Sequence, residues 1–179
     1  LINPMTSPRK MHQIDNKMGF PQSILKVLSP HCMSLKEDIS NLTKRAKTAS
    51  RHLATLTETE KNKYLFAMAD AIEANADSII AENSKDIATG NNMGLSKSLL
   101  DRLLLNNERI TAMADGLREV AELSDPVGRI LEERKRPNGL LLTKVSSPIG
   151  VIVIIYESRP NVTADAASLC FKSGNATIL

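Results

Sequence analysis

The stretch Tyr156-Glu157-Ser158-Arg159-Pro160-Asn161-Val162-Thr163 concentrates residue types suited to an anionic ligand. Pro160 disfavours helical backbone at the residue before it, so Arg159 is expected to be extended, with its guanidinium held in a fixed direction. Asn161 or Thr163 can cap a helix that follows, and the free amides and positive dipole end of such a helix favour an anion. An arginine beside that start suits a carboxylate or a phosphate. The same residues also support a purely structural account, in which Asn161 only caps the helix and Arg159 only pairs with Glu157. Other candidates carry less chemistry. Cys170 sits between Leu169 and Phe171 on an apolar face, which predicts a core position, and no histidine on its helix could activate it. His12, His31 and His52 are isolated, so no metal pair is expected. Gly150 followed by Val151 is not a GxGxxG fingerprint, and there is no phosphate-cradling GK[ST] loop.

A loop of this kind needs elements to hold it. Before it, Ile149-Gly150-Val151-Ile152-Val153-Ile154-Ile155 is apolar on nearly every residue, which predicts a strand buried on both faces of a parallel sheet. After it, Ala166, Ala167, Leu169, Cys170 and Phe171 predict a helix over 163–173. The turn signal Ser173-Gly174-Asn175 then leads into a second strand at Ile178-Leu179. Strand, loop, helix and strand form a βαβ unit, whose ligands gather at the carboxyl ends of the strands.

Upstream, the pattern is helical. Ser34-Leu35-Lys36-Glu37 and Thr57-Glu58-Thr59-Glu60 both fit capping boxes. Leu35, Ile39, Leu42, Ala46, Ala49 and Leu53 follow the first box at helical spacing. Tyr64, Leu65, Met68, Ala71 and Ile72 follow the second. A third amphipathic stretch carries Ile79, Ile80 and Ile87 and is expected to end at Gly90-Asn91-Asn92. Two more helical segments fall at 96–105 and 107–123. Asp125-Pro126-Val127-Gly128 then changes the regime. Residues 129–136 and 140–146 flank Pro137-Asn138-Gly139, a hairpin signal, and the charges at 132–136 predict a solvated first arm.

Composition limits the partners. The 179 residues carry a net charge of +3. Residues 1–32 hold Arg9, Lys10, Lys17 and Lys26 against Asp15, which leaves 19 basic and 19 acidic side chains in the remainder. A balanced body lacks the basic footprint of a nucleic-acid reader, and no apolar run is long enough to span a bilayer. Two cysteines without ligand spacing favour a reducing compartment, and the expected location is cytoplasmic. Residues 1–32, with four prolines and no apolar period, are expected to be a disordered or non-native extension. The interior-strand character of Asn175-Ala176-Thr177-Ile178-Leu179 predicts a piece of a longer chain, because strand backbone needs pairing.

Several segments resemble γ-glutamyl phosphate reductase, a family of the aldehyde dehydrogenase superfamily. These are Pro148-Ile149-Gly150-Val151-Ile152, Ile155 to Thr163 (within the run YESRPNVTADAA), and Leu169-Cys170-Phe171-Lys172-Ser173-Gly174-Asn175-Ala176. The likeness reaches back through Asp125-Pro126-Val127-Gly128 and Asp101-Arg102-Leu103 to about Met33. It implies an α/β, aldehyde-dehydrogenase-like fold with a helical amino-terminal layer, a β-hairpin and the start of a Rossmann-like parallel sheet, truncated. Residues 33–179 would be the amino-terminal part of an NADP-binding domain, with the 129–146 hairpin as an oligomerisation element.

The implied reaction is NADPH-dependent reduction of L-glutamate 5-phosphate to L-glutamate 5-semialdehyde in proline biosynthesis. A cysteine thiolate beyond Leu179 would displace phosphate and hold a thioester. Carried onto this sequence, Tyr156, Glu157 and Ser158 would face the cofactor, and Arg159 and Asn161 the substrate. A homo-oligomer and a glutamate kinase partner are also implied. Val153 stands where the family usually has glycine, so a side chain is expected to crowd the packing or the cofactor-side approach there. Two other readings remain. One is the reductase part of a bifunctional kinase–reductase, although residues 1–32 show no kinase pattern. The other is a catalytically dead module that joins other subunits through the hairpin.

Overall fold

The structure, a computed structural model, describes residues 35–157 and 159–179. The expected Ser34–Glu37 capping box and the 1–32 extension fall outside or partly outside these residues. The chain divides into two units, Leu1–Leu42 and Thr43–Leu179.

Helix α1 (Leu35–Leu53) places Glu37 and Asp38 in its first turn and Arg51 and His52 in its last, complementing the helix dipole. Leu35, Ile39 and Leu42 of its apolar stripe are exposed. Helix α2 (Glu58–Ala74) starts at the expected capping box: Thr57 accepts from the Glu60 amide, and Glu60 accepts from the Thr57 amide at 2.8 Å. Helix α3 (Ala76–Asn92) ends within the Gly90-Asn91-Asn92 cluster, as expected. A Cβ on Gly90 would lie 3.0 Å from Leu100 Cδ2 and 3.1 Å from Leu95 Cδ1. This glycine thus also serves close packing against α4 (Lys97–Leu103). Helix α5 (Asn107–Glu122) is capped by Asn106, whose side chain accepts from the Arg109 amide.

The core of the second unit lies where α2 and α5 pack together. Ala69, Ala114 and Leu117 are buried there, with Ile72 and Ala164 against them. Alanines on facing helices let the backbones approach closely. Arg118 on α5 reaches Asp70 and Glu73 on α2, at 3.0 and 2.6 Å, and Asp115 at 3.0 Å.

Two buried lysines tie this pair to its neighbours. Lys61 is fully buried, and its Nζ lies 2.7 Å from Asp125 Oδ2. Lys172 comes from helix α6 (Pro160–Lys172), and its Nζ donates to Asn62 Oδ1 and to the Ala121 carbonyl, at 2.5 and 2.8 Å. Buried ammonium groups are tolerated only with such partners. The Tyr64 and Phe171 rings meet edge to face, with centroids 6.1 Å apart, and add an aromatic contact between α2 and α6.

Strands β1 (Ile130–Lys135) and β2 (Leu141–Val145) form the expected antiparallel hairpin, with Glu133 opposite Thr143 and a register shift between Ile130 and Glu132. Every residue of both strands is exposed, including Ile130, Leu131, Leu141 and Leu142. Strands β3 (Val151–Val153) and β4 (Ala176–Ile178) pair in parallel, with Ile152 opposite Thr177. The βαβ reading therefore holds.

Three expectations are corrected. The apolar run around β3 is not buried on both faces: Ile149 is 84%, Val153 62% and Ile155 95% exposed. Among the described residues, no second helical layer covers that side, so the run has the composition of an interior strand without its burial. Helix α6 also starts at Pro160, three residues earlier than the apolar pattern marks, because proline suits the first helical position. Leu169, expected inside, is about half exposed.

The starts of β3 and β4 are stapled together. Asn175 is buried; its Oδ1 accepts from the Gly150 amide at 2.8 Å, and its Nδ2 donates to the Ser173 carbonyl. Gly174 adopts φ +74°, and a Cβ there would come within 2.8 Å of Pro148 Cγ. Only glycine meets both demands.

Candidate functional site

The pairing of β3 with β4 extends one residue further, the Ile154 amide donating to the Ile178 carbonyl at 3.0 Å. The chain then leaves the sheet at its carboxyl end and enters the loop that leads to α6. Arg159 is the residue before the helix and has extended backbone, φ −115° and ψ 112°, as the following proline requires. No side chain caps this start.

The capping role expected of Asn161 or Thr163 is therefore not realised. With Pro160 as first helical residue, Asn161 already lies within the first turn, and its Nδ2 donates to Asp165 Oδ2 at 3.2 Å. The Thr163 hydroxyl pairs with the Tyr156 hydroxyl at 2.6 Å. That bond folds the loop back onto α6; in its first turn Pro160 has no N–H, and the Val162 amide donates to the Arg159 carbonyl at 3.1 Å.

The charges at this mouth are unevenly shared. Glu157 Oε2 is 3.9 Å from Arg159 Nε, and Glu157 Oε1 is 3.6 Å from Arg102 Nη1. Among the described residues, Arg159 Nε is buried without a hydrogen-bond partner, as is Thr177 Oγ1 on β4. Two guanidinium groups thus face one carboxylate, a local excess of positive charge.

Tyr156, Glu157, Arg159 and Asn161 are gathered at one junction, as expected. Ser158 lies outside the described residues. Cys170 is buried, in agreement with a core role. Val153 is exposed.

Arg102 was not singled out as a site residue by its own type or spacing, since it lies in another helix and 54 residues before Tyr156 by number. The available signal was its place in Asp101-Arg102-Leu103. Its turn is firmly placed. Asn83 is buried on α3 and both donates to the Leu103 carbonyl, at 2.8 Å, and accepts from the Leu105 amide, at 2.7 Å. Arg109 ties down the same turn through the Leu104 carbonyl and Asp101. Beside α6, the surface lined by Met68, Ile72, Met113, Leu117 and Ala167 is apolar and brings no charge to the junction. Among the described residues, no cluster of His, Cys, Asp or Glu could hold a metal ion, and no helix is long and apolar enough to cross a membrane.

A helical layer, an exposed hairpin and a parallel βαβ unit with its loop at the carboxyl end together define an α/β protein. Comparison with known proteins narrows this. No family model matches the chain. It is 52% identical over 147 residues to γ-glutamyl phosphate reductase of Petrotoga mobilis, and 55% identical over 146 residues to that of Syntrophomonas wolfei. Each alignment takes in 82% of this chain and 35% of the relative.

The crystal structure of γ-glutamyl phosphate reductase from Thermotoga maritima superposes with a TM-score of 0.73 at 39% identity, covering 75% of this chain and 32% of that one. The Saccharomyces cerevisiae enzyme gives 0.74 at 40% identity, covering 82% and 37%. The chain spans about a third of the length of the curated relatives it matches. Over that span its sequence and fold are similar to those of γ-glutamyl phosphate reductases.

Proposed function

We propose that this chain supplies part of an NADPH-dependent reductase that converts L-glutamate 5-phosphate to L-glutamate 5-semialdehyde and phosphate in proline biosynthesis. The observation that carries this reading is identity above one half across 82% of the chain. The junction between β3 and α6 agrees with it, since an uncapped helix start and an oriented arginine suit a substrate with a carboxylate and an acyl phosphate. In this reading Arg159 and Asn161 serve the substrate, and Tyr156, Glu157 and Ser158 the cofactor.

The fit to a nicotinamide cofactor is of a particular kind. The loop offers a phenol and a carboxylate but no glycine cradle for a pyrophosphate. Tyr156 and Glu157 therefore suit hydroxyl and amide groups of the cofactor better than its phosphates. When bound, the cofactor supplies the hydride; the residues of this chain bind and orient. The acyl phosphate itself must come from a kinase acting on glutamate, the partner class that the reaction calls for. The exposed leucines of the 129–146 hairpin support its use as a contact between subunits of a homo-oligomer. A cytoplasmic location fits such a biosynthetic role.

The test is a fusion in which the aligned residues of this chain replace their counterparts in the Petrotoga mobilis enzyme. NADPH oxidation that depends on L-glutamate 5-phosphate is the expected result. A fusion that folds and assembles like its parent but shows no turnover would overturn the reading and favour a dead interaction module. The 179-residue chain alone is expected to show no turnover, because its described cysteine, Cys170, is buried.

A further inference from the structure

We infer that Arg102 and Arg159 form a two-guanidinium clamp for one oxyanion of an acidic small molecule, with Glu157 as the internal carboxylate that keeps them poised. This deepens the proposed function and rests on it for the identity of the substrate. The first support is a contrast within the molecule. Arg118 is a structural arginine, with three carboxylates at 2.6, 3.0 and 3.0 Å. Arg109 is similarly held by Asp101 and the Leu104 carbonyl, at 2.9 and 2.8 Å. Among the described residues, Arg102 and Arg159 share Glu157 as their carboxylate, at 3.6 and 3.9 Å. Both separations exceed the 2.7–2.9 Å or so of a charge-assisted hydrogen bond, so Glu157 satisfies neither fork.

A second, independent support is Arg159 Nε, which is buried and has no acceptor. A donor in that state needs a partner that water does not readily provide. The third is the helix start beside it. Among the described residues, no side chain caps α6; Asn161 is turned to Asp165, and the Thr163 hydroxyl is engaged by Tyr156. An oxyanion placed there meets two guanidinium groups at the positive end of the helix dipole, although Pro160 brings no N–H and the Val162 amide already donates to the Arg159 carbonyl. Glu157 is about half exposed, as are both arginine side chains, so an incoming anion can displace its carboxylate. The Asn83 and Arg109 bonds hold the turn that carries Arg102, so the clamp is organised before the ligand arrives.

The probes are inorganic phosphate and L-glutamate, titrated separately into the 179-residue chain. Saturable binding of one of them is expected, and the arm that binds identifies the oxyanion as phosphate or carboxylate. Arg102→Gln and Arg159→Gln should each weaken that binding by roughly tenfold or more, the usual loss for a charge-assisted bond. Glu157→Gln should tighten it several-fold by removing the competing carboxylate. A merely structural ion pair would instead lower the melting temperature in all three variants and leave binding unchanged. Absence of saturable binding in both arms, or an Arg102→Gln variant that binds within twofold of the parent, overturns the clamp. The fusion enzyme separates this from the wider reading. An active fusion in which Arg102→Gln leaves KM for L-glutamate 5-phosphate unchanged sinks the clamp alone, whereas an inactive unsubstituted fusion sinks the function alone.

Discussion

The α2–α5–α6 layer and the mouth of the β3–β4 pair are built from similar residue types to opposite ends. In the helical layer, buried charge is matched: Lys61 has Asp125, and Lys172 has Asn62 and the Ala121 carbonyl. At the mouth, two arginines draw on one glutamate, and a buried guanidinium nitrogen has no partner. Matched groups raise the cost of moving, so the helices behave as a fixed support. Unmatched groups cost stability where they stand, and that cost falls only when something outside the fold satisfies them. The contrast teaches where the molecule holds itself together and where it is prepared to hold something else.

The largest expected effect comes from breaking the matched side. Lys61→Ala leaves the Asp125 carboxylate without its buried partner and opens a void beside α2. It should cost about 3–5 kcal/mol in urea denaturation. Lys61→Met restores most of the volume but not the charge, and should recover only part of the loss. If Lys61→Ala cost less than about 1 kcal/mol, the helical layer would not owe its rigidity to this pair.

A smaller effect, and one that depends on pH, is expected at Arg118. Its hydrogen bond holds the Glu73 carboxyl below the ordinary value of 4.5. Reciprocally, Glu73, then Asp70 and Asp115, push the guanidinium further up. A carboxyl whose folded value is depressed contributes stability that is present above its unfolded value and lost as pH falls through the folded one. The parent chain should therefore lose stability from just above pH 4.5 downward. Arg118→Met should be less stable at neutral pH and show a shallower acid loss. Glu73 is more than a third exposed, and solvent screening keeps the effect modest. Parallel acid slopes in the two proteins would show that the network does not link α2 to α5 energetically.

The smallest effect on folding is expected in the hairpin. Leu141 is already exposed, so Leu141→Ser should change stability by no more than about 0.5 kcal/mol. In the fusion enzyme it should nonetheless weaken self-association in sedimentation experiments. Unchanged assembly would remove the hairpin from the subunit contact.

Local signals in the sequence determined most of the helical elements and the hairpin turn. The Thr57–Glu60 box, the stripes behind it and Asn138-Gly139 act through bonds and contacts within a few residues, so their outcome is decided locally. The parallel β3–β4 unit and the extended backbone of Arg159 were legible for the same reason, one from apolar composition and the other from the ring of Pro160. The burial of β3 was not, because burial depends on what packs against a strand, and the strand's own residues carry no record of it. The start of α6 depended on a contest between Pro160 and Asn161 for the first turn, which backbone geometry resolved for proline. Arg102 reaches Glu157 only because α3 and α4 fold back on each other around Gly90 and Asn83. Side-chain charges far apart in the chain share a site only through the packing between them, and that packing belongs to the tertiary structure alone.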